Sequence, residues 1–177
     1  MKELLTPRLR LRAWRPSDLP AVVAMNSDPA VMRYVREIGS AAEETRRAHD
    51  LMAADRGGGL GIWAVEGLED AAFHGAGMLI PLPGYDDVEV GYRLPQASWG
   101  RGIATEIACR LRDHGFEELG LAEIVAVTAP ENRASQRVLQ KAGLSFRGLR
   151  NAYGVEGLHL FGVARAAWLR DQPGASA

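Results

Sequence analysis

A glycine-containing segment from Ser98 to Thr105 is the part of the sequence that points most directly to chemistry. It reads Ser-Trp-Gly-Arg-Gly-Ile-Ala-Thr and connects a predicted strand to a predicted helix. Two glycines at the start of a helix let the backbone approach a ligand closely, and the free N–H groups there favour a phosphate. Arg101 adds positive charge, and the first acidic residue of the helix is Glu106. The segment indicates a phosphate site, and a tight turn with a purely geometric purpose is the alternative.

The same segment differs from two common phosphate loops. A P-loop needs Gly-Lys followed by Ser or Thr, and the sequence lacks this ending. A dinucleotide-binding loop needs Gly-x-Gly-x-x-Gly, and Thr105 stands where the third glycine belongs. That fold also places an acidic residue at the end of the next strand, whereas Glu123 stands at its beginning. A nicotinamide-dependent oxidoreductase is therefore disfavoured.

The elements that position this segment follow from hydrophobic periodicity and capping residues. Strands are predicted at 6–14, 61–66, 73–82, 88–94, 122–128, 144–149 and 158–164, and helices begin near Ser17 or Asp18, at Ser40 with Glu43 as a capping box, at Gly102 and at Asn132. Hairpins at both ends of this order, with helical crossovers between them, imply an α/β fold with a mixed sheet and helices on its faces.

Two strand patterns make sharper predictions. The strand at 6–14 alternates strictly and is predicted to be half-buried. Its apolar face carries Leu9, Leu11 and Ala13, and its other face carries Arg8, Arg10 and Arg12, which we expect to be solvated. Gly91 lies inside the strand at 88–94, and a glycine there suggests a β-bulge that bends one strand away from its neighbour.

Length and composition limit the class of protein. The chain has 177 residues, and its formal charge of −1, from 21 basic and 22 acidic side chains, argues against a nucleic-acid partner. Cys109 is the single cysteine, which excludes an internal disulfide, and the four histidines lack metal-ligand spacing. No stretch is long enough to span a membrane, and the first residues lack the apolar run of a signal peptide. We therefore expect a cytoplasmic protein without a metal.

The sequence shows neither an internal repeat nor a linker. We expect residues 1–170 to form one domain and residues 171–177 to be a disordered tail, with disorder starting after Trp168.

Several motifs occur in a recognisable order. Trp99-Gly-x-Gly-x-Ala104 is followed by Asn132-x-x-Ser135 and then by Lys141-Ala-Gly. In this order they resemble the GNAT acyltransferase superfamily, and the Trp-Gly-x-Gly-x-Ala form resembles its RimJ/RimL-like branch, the ribosomal-protein-alanine N-acetyltransferases. Thr-Pro-Arg-Leu-x-Leu-Arg near the start and Arg-Ala-Ala-Trp near the end are also similar to this branch. The resemblance covers nearly the whole chain.

The resemblance implies a mostly antiparallel sheet that is splayed open between the strands at 88–94 and 122–128. Acetyl-CoA, the co-substrate, would lie in this cleft. Backbone groups of Tyr92, Arg93 and Leu94 would hold its thioester arm. The pyrophosphate would lie on the N–H groups of Trp99, Gly100, Arg101, Gly102, Ile103 and Ala104, with Asn132 holding the acyl-CoA arm and Arg137 reaching the nucleotide phosphates. A solvated helix charge is the alternative for Arg137.

The implied reaction moves an acetyl group directly to a primary amine. The resemblance assigns Glu89 as general base, with an ordinary solvated carboxylate as the alternative. It assigns Ser135 as general acid, because Leu139 occupies the position where many relatives have a tyrosine. Helix capping is the alternative for both Asn132 and Ser135.

The acceptor is the least determined part. Tyr34 and Tyr153 are candidates for the acceptor pocket, although packing or an exposed turn would also explain them. The amine belongs to a protein N-terminus or to a small molecule, with a polyamine still open, and a homodimer is possible. A catalytically silent acyl-CoA-binding module is the alternative function. Neither a membrane nor a nucleic acid is an expected partner.

Overall fold

The chain builds one eight-stranded mixed sheet, described by a computed structural model over residues 1–53 and 57–170. The strands are β1 Leu4–Leu5, β2 Leu9–Arg12, β3 Gly61–Gly67, β4 Phe73–Pro81, β5 Val88–Arg93, β6 Glu123–Thr128, β7 Ser145–Ala152 and β8 Val155–Ala164. The helices are α1 Leu19–Asn26, α2 Pro29–Met32, α3 Ala41–Ala53, α4 Ile103–Glu117, α5 Arg133–Lys141 and α6 Arg165–Arg170.

The sheet has the order β1-β2-β3-β4-β5-β6-β8-β7. Every neighbouring pair is antiparallel except β5 and β6, which run parallel. The α4 crossover connects these two strands, as a parallel pair requires. The predicted fold class, a mostly antiparallel sheet within an α/β fold, is confirmed.

Helices cover both faces of the sheet. On one face α4 lies close to β4, because a Cβ atom at Gly77 would stand 2.6 Å from Cγ2 of Ile107. Ile107 and Leu111 belong to the largest buried cluster, together with residues of the central strands. On the other face Met25 of α1 packs with Ile62 and Ala76. Both faces of the central strands are therefore interior.

The prediction of a solvated arginine face on the first strand is wrong at Arg12, whose exposed fraction is 6%. Its guanidinium donates to both carboxylate oxygens of Asp18, at 2.8 and 2.9 Å, and to Oε2 of Glu66 at 2.8 Å. Asp18 was a candidate helix cap, but its side chain makes no cap hydrogen bond to α1. Because α1 to α3 cover this face, the arginine is enclosed and two carboxylates neutralise it. Ala13, which alternation places on the apolar face of the strand, is exposed instead.

The predicted bulge at Gly91 is also wrong. The β4–β5 register runs without a shift from Ala76↔Arg93 to Pro81↔Val88, and Gly91 pairs with Met78. A Cβ atom at Gly91 would stand 2.4 Å from Cε of Met78. The glycine therefore makes room for a neighbouring side chain, and β5 pairs with β4 through it without a bulge.

The last helix, α6, ends at Arg170, which is also the last residue of the predicted domain. Residues Leu169 and Arg170 continue α6, so disorder does not start directly after Trp168. Trp168 is buried, and its Nε1 donates to Oδ1 of Asp113 at 2.9 Å, which fixes the helix on the domain. The predicted tail at 171–177 lies outside the described residues.

Two further findings concern residues 1–53 and 57–170. None of the helices in these ranges has the length and apolar character needed to cross a membrane. Within the same ranges, no three His, Cys, Asp or Glu side chains come together as metal ligands would.

Candidate active site

The parallel strands β5 and β6 separate almost at once. They share the single register pair Glu89↔Val125, whereas β5 pairs six residues with β4. Two adjoining cavities lie at this separation. The loop-side cavity, of about 430 Å³, reaches Trp99, Gly100 and Ala104. The strand-side cavity, of about 510 Å³, reaches Glu89. The two share the residues Tyr34, Val35, Tyr92, Arg93, Asn132 and Ser135.

The loop before α4 presents its backbone rather than its side chains. Gly100 and Gly102 have φ angles of +71° and +78°, which side-chain-bearing residues rarely adopt. Gly102 is the N-cap of α4 and provides no side-chain cap, so the first N–H groups of this 15-residue helix have no side-chain partner there. Such groups, at the positive end of a helix, favour an anion.

Glu106 in the first turn of α4 does not oppose this anion site. Its carboxylate accepts hydrogen bonds from Oγ1 of Thr6 at 2.5 Å and from Nε of Arg8 at 2.7 Å. Burial raises the pKa of Glu106, but these hydrogen bonds outweigh burial and the net pKa is lowered. The negative charge is thus paired with Arg8, and Arg8 also donates to the carbonyl of Arg101 at 3.0 Å.

Glu89 is the carboxylate at the mouth of the β5–β6 separation. Its exposed fraction is 3%, and Oε1 has no hydrogen-bond partner among the described residues. Burial raises its pKa from 4.5 to about 7, because the charged form loses its hydration without gaining a partner. A carboxyl group with this pKa exchanges a proton readily near neutral pH.

Ser135 faces the cleft from the first turns of α5. Its Oγ lies 3.0 Å from Oη of Tyr92, and Oη also donates to the Ser135 carbonyl at 3.2 Å. Burial is the largest influence on Tyr92 and raises its pKa. The side chain of Asn132 accepts a hydrogen bond from the Ser135 backbone N–H at 3.1 Å, so Asn132 caps the helix. The Ser135 hydroxyl takes no part in this cap.

The family of the chain follows from comparison with known proteins. Residues 8–145 match the family model described as "Acetyltransferase (GNAT) domain". The chain belongs to the GNAT acetyltransferases. It is therefore an acetyl-CoA-dependent N-acetyltransferase, and the predicted family and enzyme class are confirmed.

Individual relatives are similar over most of this GNAT acetyltransferase. An uncharacterized N-acetyltransferase p20 of Bacillus licheniformis is 30% identical over 86% of the chain and 88% of its own length. The FsC-acetyl coenzyme A-N(2)-transacetylase of Aspergillus fumigatus is 30% identical over 96% of the chain and 79% of its own length. The crystal structure of an acetyltransferase from Agrobacterium tumefaciens superimposes with a TM-score of 0.81, at 25% identity over 92% of the chain and 94% of that structure.

The structure gathers most of the predicted site residues of the acetyltransferase around the two cavities. The loop-side cavity is lined by seven of the residues expected to hold acetyl-CoA, namely Tyr92, Arg93, Leu94, Trp99, Gly100, Ala104 and Asn132. The acceptor candidates Tyr34 and Tyr153 both line the strand-side cavity with Glu89.

Four predicted residues do not line either cavity. Arg101 and Gly102 are exposed in the loop, Ile103 is buried in the core, and Arg137 is exposed on α5. Ile103 therefore contributes its backbone to the loop while its side chain anchors α4.

Sequence reasoning missed three side chains at the site. The Tyr92 hydroxyl contacts Ser135 across 43 positions, and the side chains of Arg93 and Arg36 line the strand-side cavity. The motifs had placed only the backbone of Tyr92 and Arg93 at the cleft. No local pattern in the sequence marks these side chains, because their surroundings come from distant elements.

Proposed function

We propose that this enzyme transfers an acetyl group from acetyl-CoA to a primary amine held in the strand-side cavity, with Glu89 as general base and Ser135 as general acid. The observation that carries the proposal is the buried Glu89 carboxyl, which lies in that cavity with Oε1 lacking a partner among the described residues. A buried polar atom without a partner lowers the stability of the folded protein, and such groups are concentrated at functional sites.

The loop-side cavity supports binding of acetyl-CoA. The N–H groups at the start of α4 and the positive end of this helix suit its diphosphate, whereas the Trp99 N–H is bonded to the carbonyl of Gln96 at 3.0 Å. Leu94, Ala104 and Val138 give the cavity an apolar wall for the pantetheine arm. From the loop, this arm enters the cleft beside Tyr92 and Ser135, which both cavities share.

The residues of the cleft suit a direct transfer. The amine nitrogen forms a bond to the thioester carbon, the carbon–sulfur bond breaks, and its electron pair leaves on the thiolate. Glu89 accepts the proton that the amine loses, directly or through a water molecule. Ser135 donates its proton to the thiolate and regains one from solvent after CoA leaves. The Tyr92 hydroxyl, 3.0 Å from Ser135 Oγ, can donate a hydrogen bond to that oxygen while it lacks its proton. No covalent enzyme intermediate is required.

The acceptor is the amine of a protein N-terminus or of a small molecule. The resemblance to the RimJ/RimL-like branch supports a protein N-terminus, and the name of the Aspergillus relative supports acetyl transfer to a nitrogen atom more generally.

The proposed function is tested by thiol release from acetyl-CoA with a panel of N-terminal peptides and small amines, checked by the mass gain of the acceptor. We expect amine-dependent release that is lost in Glu89→Gln. Acetyl-CoA binding without acetylation of any amine would contradict the proposal and favour the silent acyl-CoA-binding module.

A further inference from the structure

Arg93 of β5 is a partly buried arginine whose charge has no counterion among the residues that the structure describes. The side chain lines both cavities. Its Nη1 donates to Oδ1 of Asn26 at 2.8 Å, which is a neutral partner. Its Nε is buried without a hydrogen-bond partner, and Arg93 forms no ion pair within the residues that the structure describes. A guanidinium remains charged at neutral pH, so this charge is uncompensated.

The charges around Arg93 leave an excess of positive charge. Arg36, which also lines the strand-side cavity, donates to Glu44 at 2.7 and 2.5 Å. Arg47 donates to the same carboxylate at 2.7 Å. The Glu44 carboxylate thus pairs with both Arg36 and Arg47, and Arg93 adds a third positive charge. Burial lowers the pKa of Arg93 to about 10, and the charge of Arg36 lowers it further than Glu44 raises it.

Arg93 and Glu89 share one face of β5. Side chains two positions apart point to the same side of a strand, so Glu89, Gly91 and Arg93 form a row. The Cα atoms at its ends are about 13 Å apart, at roughly 3.3 Å per residue. Gly91 in the middle has no side chain, and the side chain of Met78 from β4 packs over it. Glu89, Gly91 and Arg93 all line the strand-side cavity, so the proton acceptor and the cation face the same space.

We propose that Arg93 binds a carboxylate of the acceptor, which makes the acceptor an amino acid or peptide with an amine and a carboxylate several bonds apart. The inference rests on the proposed function, since it takes the amine to lie at Glu89. The Nε edge of the guanidinium offers the parallel donors that match a carboxylate, and a ligand anion would neutralise the charge that the protein does not. A polyamine, with further positive charges, is disfavoured in this cavity.

The experiment compares acceptors that differ only in this group. Steady-state kcat/KM is measured for ω-amino acids of increasing length against their amides, for Gly-Asp against Gly-Asn, and for spermidine. We expect a preference of about tenfold or more for the carboxylate in the best matched pair, the size of one charge-assisted hydrogen bond. Arg93→Met should abolish the preference, Arg93→Lys should keep part of it, and the KM for acetyl-CoA should not change.

Arg147→Met is the matched control, because Arg147 is exposed on β7 and lies outside both cavities. It should retain the full preference. Acetylation of the amines with equal kcat/KM for acids and amides would overturn this inference and leave the proposed function intact. A raised KM for acetyl-CoA in Arg93→Met, with the preference retained, would also overturn it and assign the side chain to the cofactor. Failure of wild-type enzyme to acetylate any amine would instead overturn the proposed function.

Discussion

The charged residues around Arg12 and those on β5 at the cleft are arranged in opposite ways. Arg12 is enclosed with Asp18 and Glu66, and every charge there has an oppositely charged partner within hydrogen-bond distance. Glu89 and Arg93 lie on β5 at the cleft, and each has a buried polar atom without a partner in the described part of the chain. Both groups contain a carboxylate and a guanidinium that folding shields from water, largely at Arg12 and in part at Arg93.

This difference in pairing distinguishes charges that stabilise the fold from charges that are available for chemistry. A paired buried charge is costly to disturb, because removing one partner leaves the other uncompensated. An unpaired buried charge lowers the stability of the folded protein, and burial shifts the pKa of the group in the direction that favours its neutral form. The cluster at Arg12 fixes β2, β3 and the start of α1, whereas the residues at the cleft retain unused capacity to take a proton or bind an anion.

The substitution Glu89→Gln tests the functional role of the charged residues on β5. We expect kcat to fall by about 10²- to 10⁴-fold, the usual contribution of a general base, with little change in the KM for acetyl-CoA. Thiol release under saturating substrates measures it. Glu117→Gln, on the exposed face of α4, is the control and should retain wild-type kcat. Unchanged turnover in Glu89→Gln would remove this residue from the mechanism.

The substitution Arg12→Met tests the structural role of the cluster around Arg12. Asp18 would remain buried without its ion-pair partner, whereas Glu66 would keep Arg10 and Arg15, and we expect the free energy of unfolding to fall by about 3 kcal/mol. Denaturant unfolding at neutral pH measures the loss, with Arg147→Met as a variant that should lose almost nothing. The folded fraction of Arg12→Met should keep its acetyl-CoA affinity. A loss below 1 kcal/mol would show that the cluster is not the structural anchor we describe.

The unpartnered Glu89 should also lower stability as the pH rises. Its pKa is about 7 in the folded protein and 4.5 ordinarily, so the folded state holds the proton more tightly. The free energy of unfolding therefore decreases between about pH 4.5 and pH 7, by up to about 3 kcal/mol at about 1.4 kcal/mol per pKa unit. Glu89→Gln lacks this decrease and should be more stable than wild type at pH 8. Denaturant unfolding of wild type and of Glu89→Gln, each at pH 5 and pH 8, provides the test. The same pH dependence of the unfolding free energy in both proteins would contradict the prediction.

Ser135→Ala gives the smallest effect and separates catalysis from capping. The Asn132 cap uses the Ser135 backbone N–H, so removal of the hydroxyl should leave the melting temperature unchanged. We expect CoA release to slow by about tenfold, as for loss of one hydrogen-bonding proton donor. Asn132→Ala is the counterpart and should cost about 1 kcal/mol of stability. A marked loss of stability in Ser135→Ala would favour a structural role.

Local features of the fold could be predicted from the sequence. The capping box at Ser40 forms, with its N–H donating to Oε2 of Glu43 at 2.8 Å, because both partners lie within one helical turn. The glycine loop and the cap at Asn132 involve contacts over a few residues in the same way. Alternation of leucines correctly predicted the buried face of β2.

The charges that distinguish the two regions could not be predicted in this way. Arg12 is enclosed by Glu66, 54 positions away, and Arg93 meets Asn26, 67 positions away. Alternation indicates which side chains share a face, but it does not show that helices cover both faces of the sheet. The missing partner of Glu89 is likewise a property of the whole fold around β5.

The most direct test of the account is the pH dependence of kcat for the wild-type enzyme and for Glu89→Gln. An acceptor amine of low pKa keeps the nucleophile unprotonated over the whole range, so that only the enzyme titrates. We expect wild-type kcat to rise with pH through about 7 and then to level off, since Glu89 must lose its proton to act as base. In Glu89→Gln this rise should be absent. The same rise in both proteins would contradict the role of Glu89.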